Sequence, residues 1–307
     1  MPSYSYISDG FQPVSYQPVG IGEDAVKLAV HESGKGEPLV LLHGLGASSY
    51  TWRKVIPELE KNYRVIAIDL KGFGNSDKPL DGRYSILDHA RLIEDFILRR
   101  KLHNVTLVGH SYGGGVALAV ALNLNDDGYN HISQLILIDS IAYRQPLPFF
   151  FQVLKTPVIG EIGISIVPPE IQMGRALTVA YYEDDKVTDD TIEAYASSLH
   201  SEGGRHALLY TIDRLDPALA DRLSIHYKEL DQPSLVLWCD HDKIVPLKYG
   251  RRLAKDLPNA DFNLIPDCGH IPHEEQPEAT VKAIQNFIKN RSGKADIFNS
   301  KGRAYTQ

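Results

Sequence analysis

The sequence has little cysteine, which limits the kinds of stabilising cross-link and metal site that it can form. Cys239 and Cys268 are the only cysteines among the 307 residues. Two are too few for the disulfide framework of a small secreted domain or for a zinc site with four cysteine ligands. Because cysteine is among the residue types most often found in protein interiors, we expect both to be buried free thiols.

Long apolar stretches are also absent. A membrane-spanning helix needs about 18 consecutive apolar residues, and no such run occurs in the sequence. The first ten residues, MPSYSYISDG, contain no basic segment followed by an apolar one, which is the pattern of a secretory signal peptide. These absences predict a cytoplasmic protein that does not associate with membranes.

Positive charge is sparse and scattered. The chain has 32 Lys and Arg against 39 Asp and Glu, a formal net charge of -7, and no long basic run. Nucleic acids and anionic membrane surfaces both require a concentrated positive patch. We therefore expect neither as a partner and predict a small-molecule substrate instead. The oligomeric state stays open.

The motifs that bind metals and dinucleotides are missing. None of the twelve histidines falls in an H-E-x-x-H or H-x-H spacing, which are common arrangements of zinc ligands. No G-x-G-x-x-G segment follows an apolar run, as dinucleotide binding would require. The sequence thus predicts a protein that uses no metal and no cofactor.

Short apolar runs bounded by turn residues recur along the chain, and segments with helical spacing lie between them. Runs of this kind are typical of strands buried on both faces of a sheet. One helical segment places Ile86, Ala90, Ile93 and Ile97 on a single face, and a later one does the same with Val281, Ile284, Phe287 and Ile288. The alternation predicts an α/β fold with a mainly parallel sheet flanked by helices. The apolar runs are AVKLAV, PLVLLHG, RVIAIDL, VTLVGH, QLILIDS and SLVLWCD, and DFNLI is a further predicted strand.

The alternation stops between Ser140 and about Asp213, where helical patterns begin at Pro169, Asp189 and His206. We predict a core in two parts, residues 1–139 and 214–290, with a helical cap at 140–213 between them. The aromatic cluster at 149–151 either lines a pocket under the cap or packs against the core. Residues 291–307 are polar and without periodicity, which predicts a mobile tail.

The segment LVGHSYGGG, residues 107–115, carries a serine at a junction between a predicted strand and a predicted helix. Glycines two positions before and two after Ser111 permit a tight, strained turn that exposes the hydroxyl at the edge of the sheet. An alcohol is a weak nucleophile at neutral pH, so the hydroxyl needs a base and the base needs an orienting acid. Both partners are expected further along the chain.

His270 and Asp242 are the candidates for these partners. Each follows a predicted strand, and the chain order of serine, acid and histidine suits three groups that meet at the carboxyl ends of parallel strands. An attacked carbonyl also needs N–H donors for its negative oxygen. Glycines on either side of Leu45 allow its backbone N–H to face that of Tyr112, and these two N–H groups are the predicted oxyanion hole.

Other residues near the predicted site have alternative roles. Asp240 is a second candidate for the acid if the loop register differs, and Asp139 at the end of its strand is a third. His273 is a second candidate for the base. A further set of polar residues is predicted to have structural roles rather than chemical ones: His43 and His110 as hydrogen-bonded braces, Asp69 as a turn residue and His241 as a solvated loop residue.

These motifs together resemble the α/β-hydrolase fold family, in its serine esterase, lipase and C–C hydrolase branch. The resemblance extends over residues 27–289 and involves HGLGAS, DLKGFGNSDKP, GHSYGG, WCDHDKIVP and GHIPHEEQPE in that order. It implies Ser111 as nucleophile, His270 as base and Asp242 as acid, with Leu45 and Tyr112 as oxyanion donors. Cys239 departs from the pattern, since the family usually has glycine there, and 140–213 matches no subfamily motif.

The resemblance implies a cofactor-independent serine hydrolase. We expect a carboxylesterase that acts through an acyl-enzyme on small to medium apolar or aromatic esters. Two alternatives remain, a C–C bond hydrolase of vinylogous diketones from aromatic degradation and a ligand sensor on a hydrolase scaffold. Against the first, His110 stands where that group usually has asparagine, and no tryptophan follows His270 closely. Peracid formation by the same site also remains open.

Overall fold

The computed structural model describes residues 15–302, apart from 23–24, 126–130 and 157. Within these residues eight strands form one sheet in the order β1-β2-β4-β3-β5-β6-β7-β8. Strands β3 to β8 are parallel to one another, whereas β1 and β2 run antiparallel to their neighbours. The strands are β1 Ser15–Val19, β2 Val26–Ser33, β3 Pro38–Leu42, β4 Arg64–Ile68, β5 Val105–His110, β6 Ile132–Ile138, β7 Ser234–Cys239 and β8 Ala260–Ile265.

The six apolar runs and the predicted strand DFNLI each overlap one of the strands β2 to β8, and the predicted mainly parallel α/β fold is confirmed. Every residue of β5 and β7 is buried, as expected for strands covered by helices on both faces. Strand β1 has no counterpart in the sequence prediction. Its residues alternate between partly buried and exposed at the edge of the sheet, so it lacks a continuous apolar run.

Helices cover both faces of the sheet. Helix α2, Ile86–Arg99, begins with a capping box, in which Ser85 and Asp88 each bind the other's backbone N–H, and it buries the predicted apolar face. Helix α3, Tyr112–Asn123, is buried over nearly its whole length against the sheet. The α-helices outside the β6–β7 segment are α1 Ile56–Leu59, α2 Ile86–Arg99, α3 Tyr112–Asn123, α10 Leu247–Asp256, α11 Pro272–Glu275 and α12 Pro277–Gly302.

The chain between β6 and β7 is helical in the part that the structure describes. We call residues 140–213 of this segment the helical insertion. Two of its helices begin at Pro169 and Asp189, where the sequence places them, while the helix predicted from His206 begins four residues earlier. The helices between β6 and β7 are α4 Phe149–Leu154, α5 Ile159–Ile166, α6 Pro169–Ala180, α7 Asp189–Ala196 and α8 Glu202–Asp213 in the insertion, and α9 Pro217–Ser224 after it.

The two ends of the chain are described only in part. The backbone of α12 is helical as far as Gly302, and residues 303–307 of the predicted mobile tail lie outside the described residues, as do residues 1–14. In the described ranges, no helix has both the length and the apolar character needed to cross a bilayer.

Cys239 and Cys268 form a disulfide bond, so the prediction of two free thiols is wrong. Both residues are buried, as predicted, and their Cα atoms lie 5.0 Å apart, within the usual range for a disulfide. Cys239 ends β7, and Cys268 lies in the loop that follows the adjacent strand β8. Sequence alone does not reveal that these two positions are neighbours, because their proximity follows from the order of the strands.

Candidate active site

Ser111 lies at a sharp turn between β5 and α3. Its backbone has φ 51° and ψ -115°, a strained conformation for a residue other than glycine. A Cβ atom on Gly109 would collide with the backbone of Gly113, and one on Gly113 would collide with the carbonyl groups at the end of β3. The glycines predicted from the sequence are therefore needed for the close approach of strand and helix, and the turn holds the serine at the sheet edge.

His270 contacts Ser111 and Asp242 through its two ring nitrogens. Its Nε2 lies 2.8 Å from the Oγ of Ser111, and its Nδ1 lies 2.8 Å from Oδ2 of Asp242. The other carboxylate oxygen of Asp242 accepts the backbone N–H groups of Ile244 and Val245, at 2.7 and 2.9 Å. Serine, histidine and aspartate are all buried. The structure thus brings together the three residues that the sequence nominated.

This chain of hydrogen bonds fixes the proton positions on the imidazole. The carboxylate of Asp242 can only accept, so Nδ1 of His270 must carry a proton and donate it. Nε2 then has its lone pair directed at the hydroxyl of Ser111 and can accept the hydroxyl proton. A serine hydroxyl activated for attack on a carbonyl requires this geometry.

Leu45 and Tyr112 line the same cavity as Ser111. The backbone hydrogen bonds of the described residues include no acceptor for the N–H of either residue, so both are available to a bound oxygen. The loop before Leu45 passes close to the serine, because a Cβ atom on Gly44 would lie 3.2 Å from the Cβ of Ser111. The two residues predicted as oxyanion donors therefore lie in the wall of the cavity that contains the predicted nucleophile.

The two other candidates for the acid form hydrogen bonds to other groups than His270. Asp240 accepts the backbone N–H of Cys268 at 3.3 Å, and its other oxygen lies 3.8 Å from His241. Asp139 is fully buried and accepts the backbone N–H of Cys239 at 2.9 Å. Of the three aspartates, the one bonded to the imidazole is Asp242.

His273 does not reach Ser111. Its Nε2 lies 2.8 Å from the hydroxyl of Thr51, and its ring stacks on Trp52 with the centroids 4.1 Å apart. Burial and the nearby His270 hold the pKa of His273 well below its ordinary value. It is therefore a neutral packing residue, and it does not occupy the position of the base.

His110 and His43 brace their loops, as predicted. Nε2 of His110 donates to the backbone carbonyl of His270 at 2.7 Å. Nδ1 of His43 donates to the carbonyl of Gly44 at 2.8 Å, while its Nε2 accepts the N–H of Leu70 at 2.9 Å. Burial lowers the pKa of both histidines, and neighbouring imidazoles lower that of His110 further. Both rings are thus neutral structural groups.

Asp69 and His241 have simple local contacts. Asp69 accepts the backbone N–H groups of Ser49 and Asn75, at 2.6 and 2.7 Å, and so fixes the turn that the sequence predicted. His241 differs from the prediction in one respect. It is half exposed but stacks on Tyr182 of the helical insertion, with the ring centroids 4.4 Å apart.

Glu275 supports the loop that carries His270, and the sequence did not single it out. Its carboxylate accepts the N–H groups of Gly269 and Ile271, which flank the histidine, at 3.1 and 3.2 Å. It also accepts the N–H of Tyr182 in the helical insertion at 2.7 Å. Burial raises the pKa of Glu275, and these N–H groups oppose that rise. In the sequence, the adjacent glutamates Glu274 and Glu275 between a predicted strand and a predicted helix were the feature that could have indicated this role.

Glu274 links the core to the helical insertion, and it too was missed. Its carboxylate accepts hydrogen bonds from Thr51 and Arg53 of the core, at 2.9 and 2.6 Å. From the helical insertion it accepts the hydroxyl groups of Tyr181 and Tyr195, at 3.0 and 2.6 Å. Its partners come from distant positions in the sequence, so no local pattern could have identified them.

A cavity of about 500 Å³ opens onto Ser111 and His270. The aromatic cluster Phe149, Phe150 and Phe151 lines it, and Phe150 and Phe151 also pack against the hydrophobic core, so the cluster has both of the roles left open by the sequence. The cavity wall also includes Arg175, for which sequence reasoning found no signal. Other wall residues are mostly apolar and come from both core and insertion, among them Ala47, Ile141, Leu147, Met173, Leu208 and Ile244.

In the described part of the chain, one set of three side chains offers metal-ligand atoms close together. One atom each from Asp139, Asp242 and His270 lie within 4.8 Å of one another. His270 already donates Nδ1–H to Asp242 within this set. A cation there would displace the proton that orients the imidazole, so metal binding and the hydrogen-bond chain exclude each other.

The fold and the site together define a hydrolase. The profile of the Alpha/beta hydrolase family matches residues 39–283. The match covers most of the chain, and the sheet order agrees with it. The chain therefore belongs to the alpha/beta hydrolase family.

Individual relatives are similar over nearly their whole length. The chain is 29% identical to the hydrolase YugF of Bacillus subtilis (strain 168) over 263 residues, which cover 82% of this chain and 90% of the relative. It is 28% identical to 2-hydroxymuconate semialdehyde hydrolase of Pseudomonas sp. (strain CF600) over 280 residues, covering 86% and 90%. A solved alpha/beta hydrolase fold protein from Burkholderia ambifaria superposes with a TM-score of 0.78 at 26% identity, covering 90% of this chain and 98% of that one.

Proposed function

We propose that the protein is a cofactor-independent carboxylesterase. The observation that carries this proposal is the hydrogen-bond chain from Ser111 through His270 to Asp242, which ends in a cavity with mostly apolar walls. The chain supplies a nucleophile, a base and an acid in hydrogen-bond contact. The cavity supplies the space for an acyl group beside the nucleophile.

The reaction follows from the positions of these groups. Ser111 Oγ attacks the ester carbonyl while Nε2 of His270 takes the hydroxyl proton, and Asp242 stabilises the imidazolium that forms. The N–H groups of Leu45 and Tyr112 bind the negative oxygen of the tetrahedral intermediate. His270 then gives its proton to the departing alcohol, which leaves an acyl-enzyme. Water, deprotonated by His270, releases the acid and restores the serine.

The cavity wall supports a small to medium apolar or aromatic substrate. A volume of about 500 Å³ lies toward the lower end of the range of roughly 300 to 1,000 Å³ that is common for small-molecule pockets. The phenylalanines 149–151 offer aromatic surface. Arg175 also belongs to the wall, but its side chain is exposed to solvent, so the surface around Ser111 stays mostly apolar.

We further propose that the helical insertion acts as a cap over the site. Its residues form one wall of the cavity, and Glu274 binds it to the core through Tyr181 and Tyr195. The domain limits predicted from the sequence, 1–139, 140–213 and 214–290, fit this role. The cap then determines which substrates reach Ser111.

A second candidate function is C–C bond hydrolysis of a vinylogous diketone. The observation that favours it is the similarity to 2-hydroxymuconate semialdehyde hydrolase of Pseudomonas, at 28% identity over most of both chains. The same three residues would serve both reactions. Position 110 holds histidine where C–C hydrolases of this kind usually have asparagine, and no tryptophan follows His270 closely. Both features favour the ester over the diketone.

The test compares substrates under identical conditions. Purified protein is assayed with p-nitrophenyl esters from acetate to decanoate and with a ring-cleavage diketone. We expect ester turnover with an optimum at short to medium chain length, and little turnover of the diketone. The reverse order of kcat/KM would move the assignment to the C–C hydrolase. Binding of a ligand that raises Tm without any turnover would support the sensor alternative.

A further inference from the structure

Asp139 occupies a strained position beside the candidate active site. It directly follows β6 and has φ 41°, in the left-handed region that residues other than glycine seldom adopt. Its backbone N–H donates to the carbonyl of Leu237 in the neighbouring strand β7 at 3.0 Å. The strain persists because β7 holds the backbone in place. This conformation directs a fully buried carboxyl group into the space beneath His270.

The two oxygens of Asp139 have different surroundings. Oδ1 accepts the backbone N–H of Cys239 at 2.9 Å. Oδ2 is buried, and no donor reaches it among the residues that the structure describes. A buried carboxylate oxygen without a donor is costly. A protonated oxygen at the same place is itself a donor and requires an acceptor instead.

Asp242 is the acceptor within reach. Atoms of Asp139, Asp242 and His270 lie within 4.8 Å of one another, and all three side chains are buried. Two carboxylates this close and away from water do not both remain ionised. Asp242 already accepts three donors, namely two backbone N–H groups and the Nδ1–H of His270. The negative charge therefore belongs on Asp242 and the proton on Asp139.

The electrostatics agree with this placement. Burial raises the pKa of Asp139 well above its ordinary value, and the charge of Asp242 raises it further. The buried carboxyl of Glu275 acts in the same direction, while the N–H of Cys239 opposes both. His270 is the cationic partner available to the pair once it takes the serine proton.

We propose that Asp139 is a neutral acid that donates a hydrogen bond to Asp242, so that the two side chains share one proton and carry one negative charge beneath His270. Asp139 is then a positioning residue that acts on the histidine through Asp242. The charge is also not tied to one residue. When Asp242 is replaced by a neutral side chain, Asp139 can ionise as His270 becomes an imidazolium. The catalytic part of this inference rests on the proposed function, whereas the shared proton does not.

The shared proton is tested spectroscopically, without any substrate. Infrared spectra at neutral pH in D₂O are compared between wild type and Asp139→Asn, a change that keeps the shape of the side chain and its acceptor for Cys239. We expect the difference spectrum to contain the carbonyl band of one protonated carboxyl group. Asp240→Asn is the matched control, because Asp240 lies two positions from Asp242 without contacting His270, and its spectrum should keep the band. No band in the wild-type minus Asp139→Asn difference overturns the proposal.

A second measurement needs no variant to fold. Wild-type protein labelled with ¹³C at the aspartate Cγ carbons is followed by NMR at neutral pH. One carboxyl carbon is expected to keep the chemical shift of the protonated form while the exposed aspartates show that of the carboxylate. A spectrum in which every aspartate is ionised contradicts the shared proton.

The catalytic consequence is tested by a double-mutant cycle on kcat/KM. Asp139→Asn is expected to lower kcat/KM a few-fold, and Asp242→Asn is expected to lower it by much more. The double variant is expected to lose at least about tenfold more than the product of these two single losses. Two factors that simply multiply would overturn the sharing of charge. Failure of the proposed function is recognised separately, because Ser111→Ala would then retain activity while the infrared band is unaffected.

Discussion

The imidazole Nε2 of His270 lies 2.8 Å from the hydroxyl of Ser111, although 159 positions separate the two residues in the chain. Ser111 follows β5 and His270 follows β8, and β6 and β7 lie between these strands in the sheet. The loop of residues 266–271 after β8 must therefore extend back across the carboxyl edge of the sheet. Contacts along this loop, those of Glu275 above all, hold the histidine at the serine.

Replacing Asp242 should distinguish it from Asp240. Asp242→Asn removes the acceptor of the Nδ1 proton and is expected to lower kcat at least about 100-fold. Asp240→Asn should have little effect, since Asp240 contacts Cys268 and His241 rather than His270. Steady-state kinetics on one ester substrate measures both. Equal losses in the two variants would show that the acid has been assigned to the wrong residue.

Substitutions at Leu45 should reveal a role of its backbone. Leu45→Ala keeps the N–H group and is expected to cost little in kcat. Leu45→Pro removes that N–H, and loss of one oxyanion donor lowers kcat by roughly 10² to 10³. Circular dichroism checks that Leu45→Pro is still folded, and its spectrum should match that of wild type. A comparable loss of kcat in Leu45→Ala would contradict the backbone role.

His89 should make the stability of the protein depend on acid pH. It is buried, its Nε2 donates to the carbonyl of Lys71 at 3.0 Å, and its Nδ1 accepts the hydroxyl of Tyr112 at 2.8 Å. Burial lowers its pKa to about 4. Below about pH 6.5 the unfolded chain binds a proton at this histidine that the folded chain does not. The free energy of unfolding therefore falls as the pH falls, by about 2 kcal/mol at pH 5 from this residue.

The variant His89→Gln measures this contribution. Urea unfolding at pH 7 and pH 5 gives the change in the free energy of unfolding, which should be smaller in His89→Gln than in wild type by about 2 kcal/mol. His226→Gln is the matched control, since the side chain of His226 is half exposed beside Glu229, and it should leave the change as in wild type. The same change in all three proteins would show that His89 is not held neutral.

The disulfide makes a prediction about thiol content and stability. Unfolded, unreduced protein should contain no reactive thiol, and reduction should release two. The bond spans 29 positions, for which chain entropy predicts a stabilisation of about 3 to 4 kcal/mol. Cys239→Ala with Cys268→Ala should lose that amount in chemical unfolding. Two thiols in unreduced protein would contradict the bond. Because disulfides are uncommon in the cytosol, finding the bond would count against the predicted cytoplasmic location.

Strands β3 to β7 could be predicted because each contains a continuous apolar run, the usual pattern of a strand buried on both faces. Strand β1, Ser15–Val19, has an exposed side and lies at the edge of the sheet, so it carries no such signal. The order of serine, acid and histidine in the sequence was also informative. Parallel strands bring their carboxyl ends to one edge of the sheet, where the residues that directly follow the strands meet.

Contacts between segments that are far apart in the sequence could not be predicted, because they depend on the order of the strands in the sheet. The bond between Cys239 and Cys268 requires that β7 and β8 be neighbours. Glu275 accepts hydrogen bonds from backbone N–H groups, and no residue type in the sequence marks such a contact. Asp139 could be named as a candidate acid, but its closeness to Asp242 depends on strand order and on a positive φ that no residue type near it predicts.

The formation of an acyl-enzyme on Ser111 is the central claim, and intact mass spectrometry tests it most directly. Protein mixed with p-nitrophenyl acetate and quenched with acid should gain the mass of one acetyl group, located by digestion on the peptide that contains Ser111. Ser111→Ala should gain none, keep the wild-type Tm, and lose at least about 10⁴-fold in kcat. Turnover of the ester by Ser111→Ala, or an acetyl group on another residue, would contradict the account.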